Sequence, residues 1–118
     1  MLTVYGLKNC DTCRKALKWL TAAGIAHEFR DLRAEPPSAA QWQAWLDELG
    51  PDTLINRRGT TWRGLPATET DGLDKAGTSR LLQSHPALMK RPLFDLGDRR
   101  IVGFAKAQQD ALTALGEA

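Results

Sequence analysis

Hydrophobic and polar residues follow one another with a period that changes along the chain. Residues 2–5 are a short run of β-favouring residues that ends at Gly6, and they predict a strand. The next apolar positions recur at helical spacing and form one face of a predicted helix: Cys13, Ala16, Leu17, Leu20 and Ala23. Gly24 is a suitable stop for this helix, and residues 26–32 predict a second strand. A strand, a helix and a strand in this order predict a right-handed parallel unit.

The middle of the chain predicts helices that are interrupted by turns. Ser38 is followed three residues later by Gln41, which is the pattern of a helix N-terminal capping box, and Gly50-Pro51 ends that helix. Its apolar stripe consists of Trp42, Trp45, Leu46 and Leu49. We expect both tryptophans to pack in the core rather than to stack on a ligand. Residues 52–89 predict a broken helical stretch whose clearest part ends at Pro86.

Residues 92–104 predict a hairpin at the end of the chain. One strand runs from Pro92 through Leu96, Gly97-Asp98 suits a tight turn, and a second strand runs from Arg100 to Phe104. A last helix carries Gln108, Ala111, Leu112 and Leu115 at helical spacing. This order of elements predicts an α/β fold with a four-stranded mixed sheet, interrupted by an all-α insertion at about residues 37–89. With 118 residues we expect one domain over residues 1–118.

Composition narrows the function classes. The net charge is only +2, so bulk electrostatics give no support to direct nucleic-acid binding. No stretch approaches the ~18 apolar residues that span a bilayer, and the start of the chain lacks the pattern of a signal peptide. We therefore expect no membrane partner and a cytoplasmic location. In that reducing compartment, two cysteines favour a catalytic, redox-sensing or metal-binding role over a permanent disulfide.

Cys10 is the first candidate for chemistry, because it stands where the first helix is predicted to begin. A helix N-terminus offers unpaired backbone N–H groups and about half a positive charge, and both favour thiolate over thiol. Lys8, Arg14 and Lys15 lie within a few residues and act in the same direction. Since thiolate is the nucleophilic form, we expect Cys10 to be reactive near neutral pH.

Cys13 lies one turn further along the same predicted helix, and its sequence position allows two roles. As a resolving thiol, it would attack a mixed disulfide on Cys10 and release the product. As a residue of the apolar face, it would pack as a small hydrophobic side chain. A zinc site would need further ligands, and only the isolated His27 and His85 are available, so we expect no bound metal.

Arginines supply a second candidate feature. Arg57 and Arg58 stand together, and Arg91 directly precedes Pro92 at the predicted hairpin. A guanidinium is permanently charged and planar, so it suits an oxyanion or a thiol that carries carboxylates. The peptide bond before a proline can be cis at modest cost, and a cis turn here would lay backbone beside the helix start. The plainer interpretation is a solvated surface, and spacing alone does not bring these arginines to Cys10.

Taken together, these segments resemble the arsenate reductase (ArsC) family within the wider Spx/ArsC grouping, whose fold is thioredoxin-like. The resemblance covers nearly the whole chain and is strongest to the YffB-like branch. It is carried by residues 4–6, 8–12, 14–16, 56–63, 86–93 and 102–104.

The resemblance implies a role for each matching residue. In arsenate reductases of this family, the cysteine at the position of Cys10 attacks arsenate, arginines stabilise the oxyanion, and glutathione reduces the adduct with the help of glutaredoxin. The resemblance therefore implies Cys10 as nucleophile and Arg57 and Arg91 as oxyanion arginines. Cys13 is a candidate redox partner because of its position one turn along the helix. The candidate substrate-binding residues are Asn9, Thr12, Arg14, Arg58 and Pro92, and the last of these carries the family's cis-proline turn.

Two departures from the family pattern define the alternatives. Gly103-Phe104 stands where arsenate reductases carry a third arginine, which favours the glutathione-dependent thiol reduction implied by the YffB-like branch. A cysteine at the position of Cys13 is typical instead of Spx-type regulators, which bind the α subunit of RNA polymerase.

The sequence therefore predicts a thiol-dependent reductase with no bound cofactor. Glutathione or another small anionic thiol is its expected co-substrate, and glutaredoxin is a further candidate partner. Arsenate reduction and an Spx-like regulatory role are the alternatives. An inactive member of the fold also remains open at this stage, because a fold does not fix a function.

Overall fold

In the computed structural model, residues 2–117 are described, and they contain a mixed sheet and several helices. The elements follow in the order β1 (Leu2–Gly6), α1 (Asp11–Ala22), β2 (His27–Asp31), α2 (Ala39–Leu49), α3 (Pro51–Leu54), α4 (Thr60–Arg63), α5 (Ala67–Thr70), α6 (Lys75–Ser84), a 3-10 turn (Pro86–Leu88), β3 (Leu93–Asp95), β4 (Arg100–Val102) and α7 (Lys106–Glu117). The predicted order of a βαβ unit, a helical insertion and a ββα unit is confirmed.

The four strands are arranged in the order β2-β1-β3-β4. Strand β1 is parallel to β2 and antiparallel to β3, and β3 is antiparallel to β4. Val4, in the middle of β1, pairs with Phe29 on one side and with Phe94 on the other. The predicted four-stranded mixed sheet is therefore confirmed, and its central position belongs to the strand that leads to Cys10.

Two compact units make up the fold. The first unit contains the residues up to Ala34 and those from Arg91 onward, and it holds the sheet. Alternate residues of β1 and one face of α1 are buried in its core, because a strand buries every second side chain and a helix buries side chains three and four apart. The core of the first unit consists of Leu2, Val4, Ala16, Leu20, Phe94 and Leu112.

The second unit, Glu35–Lys90, contains helices α2 to α6 and the 3-10 turn, joined by loops, and a bridge between Ile55 and Met89. Helix α2 begins where predicted, because the Ser38 side chain accepts a hydrogen bond from the Gln41 backbone N–H at 3.1 Å. Trp42 and Trp45 are buried and meet edge to face, with ring centroids 5.2 Å apart, so both tryptophans are core residues as expected. The single domain over residues 1–118 stays a prediction, and its first and last residues lie outside the described part of the chain.

The hairpin strands are shorter than predicted. Strand β3 starts at Leu93, because Pro92 has no backbone N–H for the ladder, and it ends before Leu96, whose N–H closes the turn onto the Arg99 carbonyl at 2.9 Å. Strand β4 ends at Val102 rather than at residue 104, because Gly103 has a φ of 92° and leaves the extended conformation.

The first helix and the second strand are also trimmed at their ends. Helix α1 ends at Ala22, so Ala23 is exposed and not part of the apolar face, and β2 covers residues 27–31 of the predicted 26–32. Within residues 2–117, none of the helices combines the length and the apolar character that crossing a membrane requires.

Candidate active site

Cys10 is the N-cap residue of α1. Strand β1 ends at Gly6, a short turn follows, and Cys10 adopts an extended conformation with φ −95° and ψ 119°. Its carbonyl accepts the first helical hydrogen bond, from the Arg14 N–H at 3.0 Å, while its side chain makes no capping bond. The sulfur is therefore available to other partners at the positive end of the helix dipole.

The surroundings of Cys10 favour its thiolate form. Partial burial alone raises the pKa of the Cys10 thiol, but three hydrogen bonds act against it, from the Cys13 backbone N–H, the Cys13 thiol and the Arg91 guanidinium. The charge of Arg91 adds to them, and the pKa of Cys10 lies below its ordinary value. Cys10 therefore meets the main requirement for a nucleophilic cysteine.

Arg91 reaches Cys10 through the sheet and not through nearby sequence. Leu93 of β3 pairs with Tyr5 of β1, and the pairing is antiparallel, so the residues before Leu93 lie at the end of β1 from which the chain continues to Cys10. Arg91 is half-buried there, and its peptide bond to Pro92 is cis, as the family resemblance implied. Cys10 and Arg91, both predicted site residues, are thus brought together.

Cys13 is buried, with 1% of its surface exposed, and its sulfur packs against Gly6. Burial raises the pKa of the Cys13 thiol to about 12, a hydrogen bond from the Leu7 backbone acts against burial, and the adjacent Cys10 adds to the rise. Both cysteines are free thiols. Cys13 therefore packs as a small side chain, as one of its two predicted roles requires, and it also donates its S–H to Cys10. Its role as a resolving thiol stays a prediction.

The other predicted residues of this unit lie on its surface. Asn9 and Thr12 are exposed beside Cys10 in the chain. Arg14 is also exposed, donates from Nε to the Lys8 carbonyl at 3.0 Å and pairs with Asp11 at 3.4 Å. The cation that lowers the pKa of Cys10 is Arg91, rather than one of the basic residues near Cys10 in sequence. Substrate binding by Asn9, Thr12 and Arg14 stays a prediction.

Arg57 and Arg58 line a cationic pocket in the second unit. Its cavity has a volume of about 420 Å³ and is lined by Asp52, Ile55, Asn56, Arg57, Arg58 and Lys90. Arg57 pairs with Asp52 and lies over the Trp62 ring, 5.5 Å from its centroid. The hydrogen bond from Arg57 and its charge hold the pKa of the Asp52 carboxyl below its usual range. Three cationic side chains and one carboxylate leave this pocket positive.

Among the described residues, no group of three or more His, Cys, Asp or Glu side chains could hold a metal ion.

Two carboxylates near the predicted site residues were not predicted from the sequence. Asp31 is buried and hydrogen-bonded to the turn before Cys10, and Asp52 is the partner of Arg57. The predicted parallel strand-helix-strand unit was the available signal for Asp31, because it places the ends of β1 and β2 at the same edge of the sheet.

The fold and the site together define an α/β protein of the thioredoxin-like class, with a cysteine at the N-terminus of its first helix. The chain belongs to the ArsC family, whose family model matches residues 5–112. The predicted fold class and family are therefore confirmed.

Relatives and solved structures extend this assignment. The chain is 38% identical over 114 residues to an uncharacterized protein of Haemophilus influenzae, covering 97% of this chain and 100% of that protein. It is 32% identical to the global transcriptional regulator Spx of Listeria innocua, covering 88% and 80%. A solved structure of a YffB protein superposes with a TM-score of 0.89 at 35% identity, covering 96% of this chain and 99% of that one. Family membership and these relatives support a thiol-dependent reductase or an Spx-like regulator.

Proposed function

We propose that the protein is a thiol-dependent reductase in which Cys10 is the nucleophile and glutathione, or another small anionic thiol, is the co-substrate. The observation that carries this proposal is the position of Cys10 at the start of α1, with Arg91 and Cys13 donating hydrogen bonds to its sulfur. These groups stabilise a thiolate, which is the form that attacks a disulfide.

The reaction on a disulfide substrate takes three exchanges. The Cys10 thiolate attacks one sulfur of the substrate, the substrate S–S bond breaks, and one substrate thiolate leaves and takes up a proton. A glutathione thiolate then attacks the Cys10 sulfur and releases the second substrate thiol. A second glutathione thiolate attacks the glutathione sulfur of this mixed disulfide and frees Cys10. Two glutathione molecules supply the two electrons and leave as oxidised glutathione.

Charge supports the choice of an anionic thiol. Glutathione carries two carboxylates, and a guanidinium fork is suited to bind a carboxylate through two hydrogen bonds. We assign that role to Arg57 and Arg58, because their pocket in the second unit is cationic and has room for a carboxylate group. Arg91 acts on the reacting sulfur itself.

Incubation with oxidised glutathione, followed by intact-mass measurement, tests the proposal. We expect the wild-type chain to gain one glutathionyl group or to close a Cys10–Cys13 disulfide. The matched variants are Cys10→Ser, which should gain nothing, and Cys13→Ser, which should retain the glutathionyl group on Cys10. A wild-type mass that stays unchanged in oxidised glutathione would remove the proposal.

A second candidate is an Spx-like redox switch, favoured by the contact between the Cys13 thiol and Cys10 and by the Spx relatives. In that case, the pair would close a disulfide and change the affinity for the α subunit of RNA polymerase. A pull-down of purified α subunit under reducing and oxidising conditions tests this function, and equal absence of binding in both conditions rules it out.

Arsenate reduction is the third candidate, raised by the family itself. A coupled assay with arsenate, glutathione, glutaredoxin and NADPH measures it directly. We expect turnover no greater than that of Cys10→Ala, because Gly103-Phe104 occupies the place of the third oxyanion arginine that the family resemblance calls for.

A further inference from the structure

We propose that Asp31 is a positioning residue for Cys10, because its carboxylate fixes the turn that connects β1 to α1. The inference rests on the proposed function in so far as Cys10 is the reacting group. This carboxylate lies in the first unit at the end of β2, and the proposed function gives it no role.

The sheet brings Asp31 to this turn. Asp31 pairs with Gly6 in the parallel ladder, and the next residue, Leu32, donates its N–H to the Gly6 carbonyl at 2.9 Å. The end of β2 therefore lies beside the point where β1 gives way to the turn. From there the Asp31 carboxylate accepts a hydrogen bond from the Lys8 backbone N–H at 2.8 Å, across 23 residues of sequence.

Both oxygens of the Asp31 carboxylate accept hydrogen bonds. Its Oδ2 accepts from Lys8, and its Oδ1 accepts from the backbone N–H groups of Arg33 at 2.8 Å and Ala34 at 3.0 Å. The residue is 9% exposed, so these three donors replace most of the water that a carboxylate would otherwise bind. An ionised carboxylate with three backbone donors is a rigid attachment point for all of them.

Further hydrogen bonds connect this turn to Cys10 and Cys13. The Lys8 carbonyl, on the opposite side of the residue from its N–H, accepts from Arg14 Nε at 3.0 Å, so Lys8 is held through both its N–H and its carbonyl. The Leu7 carbonyl accepts the Cys10 N–H at 3.2 Å, and the Leu7 backbone also bonds Cys13. Fixing the turn therefore fixes where the Cys10 sulfur stands relative to its hydrogen-bond donors.

Asparagine cannot replace this carboxylate. Its side chain has one oxygen and one NH₂ group, and the NH₂ group would face a backbone N–H donor. Asp31→Asn therefore loses the acceptor either for the Lys8 N–H or for the N–H groups of Arg33 and Ala34. The hydrogen bond from Ala34, opposed by burial and helped by those from Lys8 and Arg33, also holds the pKa of Asp31 below its usual range, so the carboxylate stays ionised where Cys10 titrates.

The test compares Asp31→Asn with Asp74→Asn in the full-length chain. Asp74 is a matched control, because its carboxylate accepts from the Gly77 backbone N–H at 2.7 Å as the N-cap of α6, in the second unit. The readout is the rate at which iodoacetamide alkylates Cys10 as a function of pH, with Cys10 and Cys13 distinguished by the fragment masses of their peptide.

For Asp31→Asn we expect the midpoint of the alkylation curve to rise and the rate at pH 7 to fall about tenfold, which corresponds to one pKa unit. In Asp74→Asn the side-chain oxygen can still accept from the Gly77 N–H, so this variant should keep its helix cap and alkylate like the wild type. If Asp31→Asn lost stability while its alkylation midpoint coincided with that of the wild type, Asp31 would be a structural residue only and the inference would be overturned.

A second measurement on the native chain covers the case in which Asp31→Asn does not fold. In an NMR titration towards acid pH, the amide protons of Lys8, Arg33 and Ala34 should shift together, with one midpoint below ~3.9, the ordinary value for aspartate. A Lys8 amide that does not follow the other two would overturn the inference. Neither measurement uses glutathione, so failure to form a glutathione adduct would remove the proposed function and leave the role of Asp31 standing.

Discussion

Arg91 and Arg57 carry the same functional group, but they differ in burial and in the partners that they contact. Arg91, in the first unit, is half-buried and donates to the sulfur of Cys10. Arg57, in the second unit, is exposed, pairs with Asp52 and lies over the Trp62 ring. A charge that is partly shielded from water acts strongly on one nearby atom, whereas an exposed ion pair is weak and exchanges easily. The first arrangement suits activation of a sulfur, and the second suits reversible capture of an anion.

The largest expected effect comes from Arg91→Ala. Loss of the hydrogen bond and of the positive charge should raise the pKa of Cys10 and lower its alkylation rate at pH 7 by tenfold or more, about one pKa unit. In the wild type, the rate should rise with pH through a midpoint below the ordinary ~8.5 of a thiol, because the thiolate is the reacting form. The measurement is alkylation of Cys10 followed by mass spectrometry.

The control for this substitution is Arg99→Ala, which removes an exposed arginine from the hairpin turn of the same unit. It should alkylate at the wild-type rate. Equal slowing by both substitutions would mean that the net charge of the unit lowers the pKa of Cys10 and that the contact with Arg91 does not.

A smaller effect is expected from Cys13→Ala, which removes the S–H donor to Cys10 and should slow alkylation at pH 7 about threefold. Cys13→Ser keeps a donor at the same position and should lose less. Both variants remove the buried sulfur, so their stability in urea measures the loss of packing. The difference between their alkylation rates measures the hydrogen bond to Cys10. If serine and alanine slowed alkylation equally, the donor would contribute nothing.

Asp52→Asn should strengthen anion binding in the second unit by up to about fivefold. The ion pair between Arg57 and Asp52 is exposed and therefore weak, so its removal can strengthen the binding of a competing anion only modestly. The ligand to titrate is S-methylglutathione, which cannot form a disulfide, with binding followed through the NMR signals of Arg57. Asp71→Asn, an exposed carboxylate of the same unit, is the control and should change nothing. Weaker binding by Asp52→Asn would show that Asp52 orients Arg57 instead of competing for it.

The smallest effect distinguishes the two regions by salt. Raising the ionic strength from about 0.05 M to about 0.5 M shortens the screening length several-fold. We expect S-methylglutathione binding to weaken clearly while the alkylation midpoint of Cys10 shifts little, because the contact of Arg91 with the sulfur is short and partly shielded. Equal sensitivity of both measurements to salt would contradict the contrast drawn between the two arginines.

Much of the fold followed from local rules. Ser38 with Gln41 predicted the start of α2, and Gly6 ended β1 where expected, because caps and glycines act within a few residues. The hairpin strands are shorter than predicted, because Pro92 has no N–H for the ladder and Gly103, with a φ of 92°, leaves the extended conformation.

The site depends on both local and distant information. The place of Cys10 at a helix start was predictable from its neighbours in sequence. Sequence proximity predicted Lys8, Arg14 and Lys15 as the cations that favour its thiolate. The cation that lowers the pKa of Cys10 is instead Arg91, which the pairing of β3 with β1 brings to it. Residues brought in by a sheet register can be found only after the register is known.

The close packing of Gly6 under Cys13 links the two positions in any variant of this chain. A Cβ at residue 6 would stand 2.5 Å from the Cys13 sulfur, so Gly6→Ala alone should be costly, by about 1–3 kcal/mol of overpacking. Shortening the other side chain, as in a Gly6→Ala and Cys13→Ala double variant, removes the clash, and the two changes should be strongly non-additive. The side chains tolerated at residue 13 therefore depend on residue 6, and a library that randomises residue 13 alone would identify only those compatible with glycine at residue 6.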